Sequence, residues 1–198
     1  MKRFTALIVT LAMLFSIGIV CRAEGEEAVL ITRGELADAV MDADEYITQQ
    51  FSFPMAERPT FSDVAGNGGM RILQAYLHGY MNGMGEGKFA PLEPVPRVQM
   101  AMVAYRLLQR MNEKYAITQS VDAVDIRDID AVPEWAVEAV TYMVSVGLIE
   151  LEGENFYPDK LVTVSEAGKI LDAIKVIFVA NDDGSRITYE EFLESRKF

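Results

Sequence analysis

Arg33 and Arg97 each follow a residue placed to start a helix, and this placement gives the 198-residue chain its first sign of binding chemistry. Thr32-x-x-Glu35 and Thr163-x-x-Glu166 are capping boxes: the threonine oxygen accepts from the third helical amide, and the acid reaches back to the cap amide. That pattern accounts for the threonines and the acids. It leaves the arginines unexplained, because a cation in the first turn sits at the positive end of the helix dipole, at a cost of up to about 1 kcal/mol. A guanidinium beside free first-turn amides makes a site for a carboxylate, gripping it with two donors while the helix end adds its field. The competing reading is that each arginine pairs with one of the 30 acids, a surface contact worth little. Gln99 aligns with Glu166 of the second capping box. Arg33 and Arg97 therefore lead the ligand-binding candidates, with Glu35 and Gln99 beside them. Asp63 and Asp128 are carried in the same set, although each reads first as a turn or cap residue holding a connector to its helix.

Other chemistry finds less support. His78 is the only histidine, and no cysteine or serine partner stands near it in any nucleophile motif, so it reads as a packed or surface helix residue. Carboxylates are too numerous for a glycosidase pair to be singled out. No catalytic residue is assigned, a non-enzyme is expected, and no cofactor is implied. Residues 181–192, Asn181-Asp182-Asp183-Gly184 through Glu190-Glu191-Phe192, look like an EF-hand loop and exit helix. With Ile187 in register, however, Ala180 occupies the first ligand position and Gly184 is displaced. That damaged spacing favours a turn and a short amphipathic helix, and no metal site is assigned. Six methionines (Met70, Met81, Met84, Met100, Met102 and Met111) cluster in one stretch and read as core filling. Trp135 also reads as core.

Composition narrows the partners. The formal net charge is −12, which excludes nucleic acid as a natural ligand. Lys2 and Arg3 precede an uncharged apolar run from Phe4 to Val20, followed by Cys21-Arg22-Ala23, which predicts a secretory signal cleaved after Ala23. Lipidation at Cys21 is disfavoured by the bulky Val20 before it. Cleavage removes three cations and no acid, taking the charge from −12 to −15 and leaving 175 residues. That length supports one ordinary core. Cys21 is the only cysteine, so the mature chain would hold no disulfide, and no stable membrane span is expected after cleavage.

Those side chains need elements to position them, and the chain supplies them by repetition. Residues 61–108 and 126–174 share an outline at offsets of 65 to 68: Asp63 with Asp128, Gly79 with Gly147, Phe89 with Phe156, Pro91 with Pro158 and Gln99 with Glu166. Residues 31–47 match only the back half. Each unit reads as helix, glycine-containing loop, helix. Helical apolar spacing runs through Leu36, Val40, Ala43 and Ile47, through Val98, Ala101, Tyr105 and Leu108, and through Ala167, Ile170, Leu171 and Ile174. The last front helix should start near Pro133 and stop at Gly147, and its counterpart is expected around Met70–Met81. No stretch alternates long enough to predict a sheet.

This arrangement resembles the S-layer homology family. The resemblance rests on Phe61-Ser62-Asp63-Val64, Glu134-Trp135-Ala136, Phe89-Ala90-Pro91, Phe156-Tyr157-Pro158 and Thr32-Arg33-Gly34-Glu35, in order, over roughly residues 31 to 178. It implies an all-α fold of helical-hairpin repeats packed as an incomplete pseudo-threefold bundle. The implied division is 1–23 signal peptide, 24–58 partial first repeat, 59–118 second repeat, 119–180 third repeat and 181–198 terminal turn and short helix. By resemblance, the grooves between repeats hold cell-wall polysaccharide or a peptidoglycan-linked glycan, often through a pyruvylated sugar, on a secreted protein at the cell wall or surface. The departures are Pro96 for the motif threonine, Val164 for the third arginine, Gly68 and Gly69 near the second unit's tryptophan position, and a missing front half in the first unit. A degenerate surface scaffold is the alternative, with a protein partner completing the first repeat.

Overall fold

The structure is a computed structural model, and it describes residues 28–50, 61–64, 69–115 and 123–178. The expected leader with Cys21, and the EF-hand-like tail, lie outside the described residues. Five α-helices are present among them: α1 (Arg33–Thr48), α2 (Gly69–Leu77), α3 (Arg97–Tyr115), α4 (Glu134–Ser145) and α5 (Val164–Phe178). Strand pairing among the described residues is limited to isolated bridges, so the fold is all-α. No helix among them is long and apolar enough to cross a membrane.

The back helices α1, α3 and α5 start where the capping signals place them. Thr32 caps α1 with the reciprocal Glu35 contact, and Thr163 and Glu166 repeat it at α5. The expected stripes face inward: Leu36, Val40, Ala43 and Ile47 of α1, Val98, Ala101 and Leu108 of α3, and Ala167, Leu171 and Ile174 of α5 are buried. Tyr105 and Ile170 lie half-buried at the margin of the same core. The three back helices touch one another pairwise, while front helix α2 packs on α1 and front helix α4 on α3. Helix α4 starts after Pro133, as expected. Helix α2 is shorter than the predicted Met70–Met81 span. It stops at Leu77 because Gly79 turns into the left-handed region (φ 78°), and the amides of Tyr80 and Met81 both return to the Ala75 carbonyl. Gly147 (φ 67°) does the same after α4, where the amides of Leu148 and Ile149 return to Met143.

The axis of the molecule is made by main chain. The Ile31 amide donates to the Val162 carbonyl (3.0 Å), Val162 to Val95 (2.9 Å) and Val95 back to Ile31 (3.0 Å), a closed ring with one member from each unit. A second ring runs outside it: Arg33 N–H to the Glu93 carbonyl, Arg97 to Lys160 and Val164 to Val29. Ile31, Val95 and Val162 are buried, so each of their polar groups needs a partner, and the ring supplies it. Three short extended segments thus converge in pseudo-threefold fashion, each leading directly into a back helix whose first turn carries Arg33, Arg97 or Val164.

Candidate functional site

The second ring aims Arg33 and Arg97 each into the loop of the following unit. Arg33 reaches from α1 into the loop between α2 and α3. Its Nε donates to the Phe89 carbonyl (2.9 Å), Nη1 to Gln99 Oε1 (2.7 Å) and Nη2 to the Asn82 carbonyl (2.7 Å). The guanidinium lies over the Phe89 ring at 4.7 Å. Arg33 is only 5% exposed, and burial pushes its pKa below the ordinary arginine value, with the charge of Asp63 working the other way. All three acceptors are neutral. Among the described residues no carboxylate stands within ion-pair distance of Arg33.

Arg97 repeats the gesture one unit on and ends differently. It lies over Phe156 at 5.2 Å. Its Nη2 donates to the Glu150 carbonyl (2.6 Å), as Arg33 does to Asn82, but its Nη1 pairs with the Glu152 carboxylate at 3.0 Å. Lys160 also pairs with Glu152. The surface-pair reading describes Arg97, whereas Arg33 has no such acid partner among the described residues.

Asp63 and Asp128 do the same job in the two loops. Asp63 accepts the amides of Phe89 (2.9 Å) and Ala90 (2.7 Å), and Asp128 those of Phe156 (2.6 Å) and Tyr157 (2.7 Å). Ala90 and Tyr157 have φ of 58° and 54°, a left-handed conformation costly for residues with a side chain. A carboxylate accepting two successive amides holds that turn in place. The Phe89 amide is the main reason that the Asp63 carboxyl lies below the usual aspartate range; desolvation opposes it and the Ala90 amide adds to it. Glu35 and Gln99 are likewise engaged, Glu35 in its cap and Gln99 on Arg33.

The two grooves are equivalent in position and opposite in character. The first has a volume of about 280 Å3 and is walled by Arg33, Gln99, Arg106, the Tyr80–Met84 segment and Trp135. The second, about 490 Å3, is walled by Arg97, Glu166, Lys169 and the Leu148–Glu152 segment. Three glutamates line the second, and among the described residues no acid lines the first. Sequence reasoning missed Arg106, which donates to the Tyr80 carbonyl (3.1 Å) and whose pKa burial lowers. The available signal was its place seven residues after Gln99 on the same face of α3. Trp135 is corrected: it is 58% exposed at the groove rim rather than core. Among the methionines, Met100 and Met111 fill core as expected, whereas exposed Met84 and half-buried Met102 line the groove.

His78 is packed. Its Nδ1 lies 3.3 Å from Asp44 Oδ2, and both side chains are nearly out of solvent. Burial pushes the Asp44 carboxyl up, but His78, Arg110 and Tyr80 outweigh it and leave the pKa below the ordinary value. Among the described residues no three side chains gather as a metal site. Residues 125–167 match the family model described as the S-layer homology domain. No curated protein matches the chain.

Proposed function

Since residues 125–167 belong to the S-layer homology domain family, we propose that this protein is an exported attachment module that grips a cell-wall polysaccharide, with Arg33 as the leading contact. S-layer homology domains are non-catalytic modules that bind cell-wall glycans at the cell surface. The chain is exported by residues 1–23, and it divides into repeats at 24–58, 59–118 and 119–180. The ligand is a secondary wall glycan presenting a carboxylate, such as a pyruvyl ketal on a sugar.

One observation carries this reading: a guanidinium 5% exposed, held by three neutral acceptors on the wall of an open groove, with no carboxylate paired to it among the described residues. Burying an arginine without a counter-ion costs free energy, and an anionic ligand would recover it. Gln99 positions the guanidinium, and Asp63 holds the loop against which it rests. Arg97 is the weaker candidate because Glu152 already neutralises it, and Asp128 serves its loop. The second groove thereby favours the other reading, a scaffold that has lost its ligand and works through proteins, including a partner packing on α5 where a front helix of the first unit would lie.

Co-sedimentation of the purified protein with sacculi from the producing cell, before and after chemical removal of wall polysaccharide, separates the two. Pelleting that disappears with the polysaccharide is the expected result. Failure to pellet with intact walls would overturn attachment and leave the scaffold.

A further inference from the structure

We propose that the first groove is the chain's single working anion site and that Arg106, which has no counterpart in the second groove, is the residue that selects a negatively charged sugar there. This rests on the glycan-binding reading and narrows it to one groove, one added residue and one ligand charge.

The two grooves can be compared position by position, because the segments after Gly79 and Gly147 superpose in hydrogen bonding. Asn82 corresponds to Glu150, Met84 to Glu152, Gln99 to Glu166, Met102 to Lys169 and Arg106 to Ala173. Each acid in the second groove is therefore a neutral residue in the first, and the second cation has moved one turn along its helix, from the Lys169 position in the second groove to Arg106 in the first. In the second groove an anionic ligand would have to displace Glu152 from Arg97 and then lie beside Glu166. At the third position the arginine is Val164, which offers no charge.

Arg33 and Arg106 work as a pair with divided duties. They donate to the Asn82 and Tyr80 carbonyls, two residues apart on one segment, so both guanidiniums converge on the same groove. Arg33 spends three of its five N–H groups on protein acceptors, which holds its charge rigidly and leaves two for a ligand. Arg106 makes one such contact and keeps four N–H groups, so it is the freer of the two to adjust to a ligand carboxylate. No carboxylate among the described residues stands within ion-pair distance of Arg106 either. The wall between them is Met81, Met102 and Val103, an apolar lining that strengthens charge interactions relative to water. Exposed Trp135 on the rim offers an aromatic face to the carbon side of a sugar ring. Two unpaired arginines on an acid-free wall, in a chain of net charge −12, describe an occupant that is both anionic and amphipathic: a sugar carrying a carboxylate.

Trp135 is the only tryptophan in the chain, so its emission reports this groove alone. The experiment titrates polysaccharide released from sacculi by mild acid into the purified protein, following Trp135 emission and heat. Expected are one equivalent of bound repeat unit per chain, a shift in Trp135 emission, and an affinity about tenfold weaker or worse in Arg106→Gln. That variant keeps a donor for the Tyr80 carbonyl and removes only the charge; Arg106→Lys should regain part of the loss, and Lys169→Ala, in the second groove, should bind as wild type. Binding with silent Trp135, two equivalents per chain, full affinity in Arg106→Gln, or equal affinity for polysaccharide whose carboxyls have been reduced would each overturn the proposal and leave glycan attachment standing. Absence of any binding would overturn both.

Discussion

Arg97 and Glu152 face each other across the second groove with Nη1 and Oε1 3.0 Å apart, at the place where the first groove sets Arg33 beside the uncharged Met84. The chain thus contains its own comparison between an occupied arginine and an available one. Glu152→Met removes the acid paired with Arg97 and leaves Glu166 and Ala173 where the first groove has Gln99 and Arg106. Arg97 keeps the Glu150 carbonyl and loses its counter-charge. The expected outcome is a second equivalent of anionic polysaccharide by calorimetry, bound about tenfold more weakly than the first or worse because no residue there stands in for Arg106, with no added response from Trp135. Glu152 is nearly half exposed, so the stability change should stay within about 1 kcal/mol, and a gain in stoichiometry would not reflect refolding.

The ring linking Ile31, Val95 and Val162 crosses all three units, so no unit can leave it without breaking two of its bonds. Their amides should exchange with solvent only through global unfolding, slowest in the protein and with one common free energy. Amides of the Gly85–Lys88 turn, an exposed hairpin held by a local bridge, should exchange orders of magnitude faster. Hydrogen exchange read by NMR decides this. A Val162 amide that exchanges independently of Ile31 would mean that the units open separately.

The ring was not legible in the sequence, because main-chain hydrogen bonds between short extended segments impose no side-chain period. What could be read were features written in side chains: the capping boxes at Thr32 and Thr163, the three apolar stripes, and the glycine at 147 that ends α4. The anomaly of a cation in a helix first turn singled out Arg33 and Arg97, but two arginines in the same local pattern could not be told apart. Their difference lies in Met84 and Glu152, about fifty residues further along the chain. Trp135 was misread because an aromatic on a front helix belongs to core or rim according to which neighbour its helix meets, and that is a tertiary fact. Arg106 lay seven residues from a singled-out position but belonged to no motif.

Asp44 on α1 is 3% exposed and lies 3.3 Å from His78, which follows α2. The pair ties a back helix to the next unit's front helix beneath the first groove. Asp44→Ala removes the carboxylate beside His78 within a packed interior, and leaving a buried polar group without its partner costs about 1–3 kcal/mol. His78→Ala should cost a comparable amount, and the double variant clearly less than the sum, since the two effects share one interaction. Urea unfolding of the three variants measures this. Additive losses would show that the two side chains contribute independently.

Acid should unfold this protein progressively, and the sign follows from four carboxyls. Asp63, Glu35, Asp44 and Glu166 all have native pKa values below their ordinary ones. For Asp63 the Phe89 amide is the main cause, and for Glu35 the Thr32 amide. In Asp44 and Glu166 burial pulls upward but is outweighed, by His78 and its neighbours in the one case and by Thr163 with Lys160 and Arg97 in the other. Each group binds protons more weakly folded than unfolded, so its stabilisation is fully present above about pH 4 to 5, the unfolded range, and is lost as pH falls through the lower native value. Asp38, raised by burial, works in the opposite direction, one group against four. Urea midpoints should therefore fall steadily between about pH 5 and pH 2. Thr163→Ala should lower stability by about 1 kcal/mol at pH 7 and flatten the acid limb, because Glu166 loses the hydroxyl contact that favours its ionised form. Asp63→Asn should flatten it as well, since the group no longer titrates. A wild-type midpoint independent of pH over that range would show that these carboxylates do not hold the caps and the loop in solution.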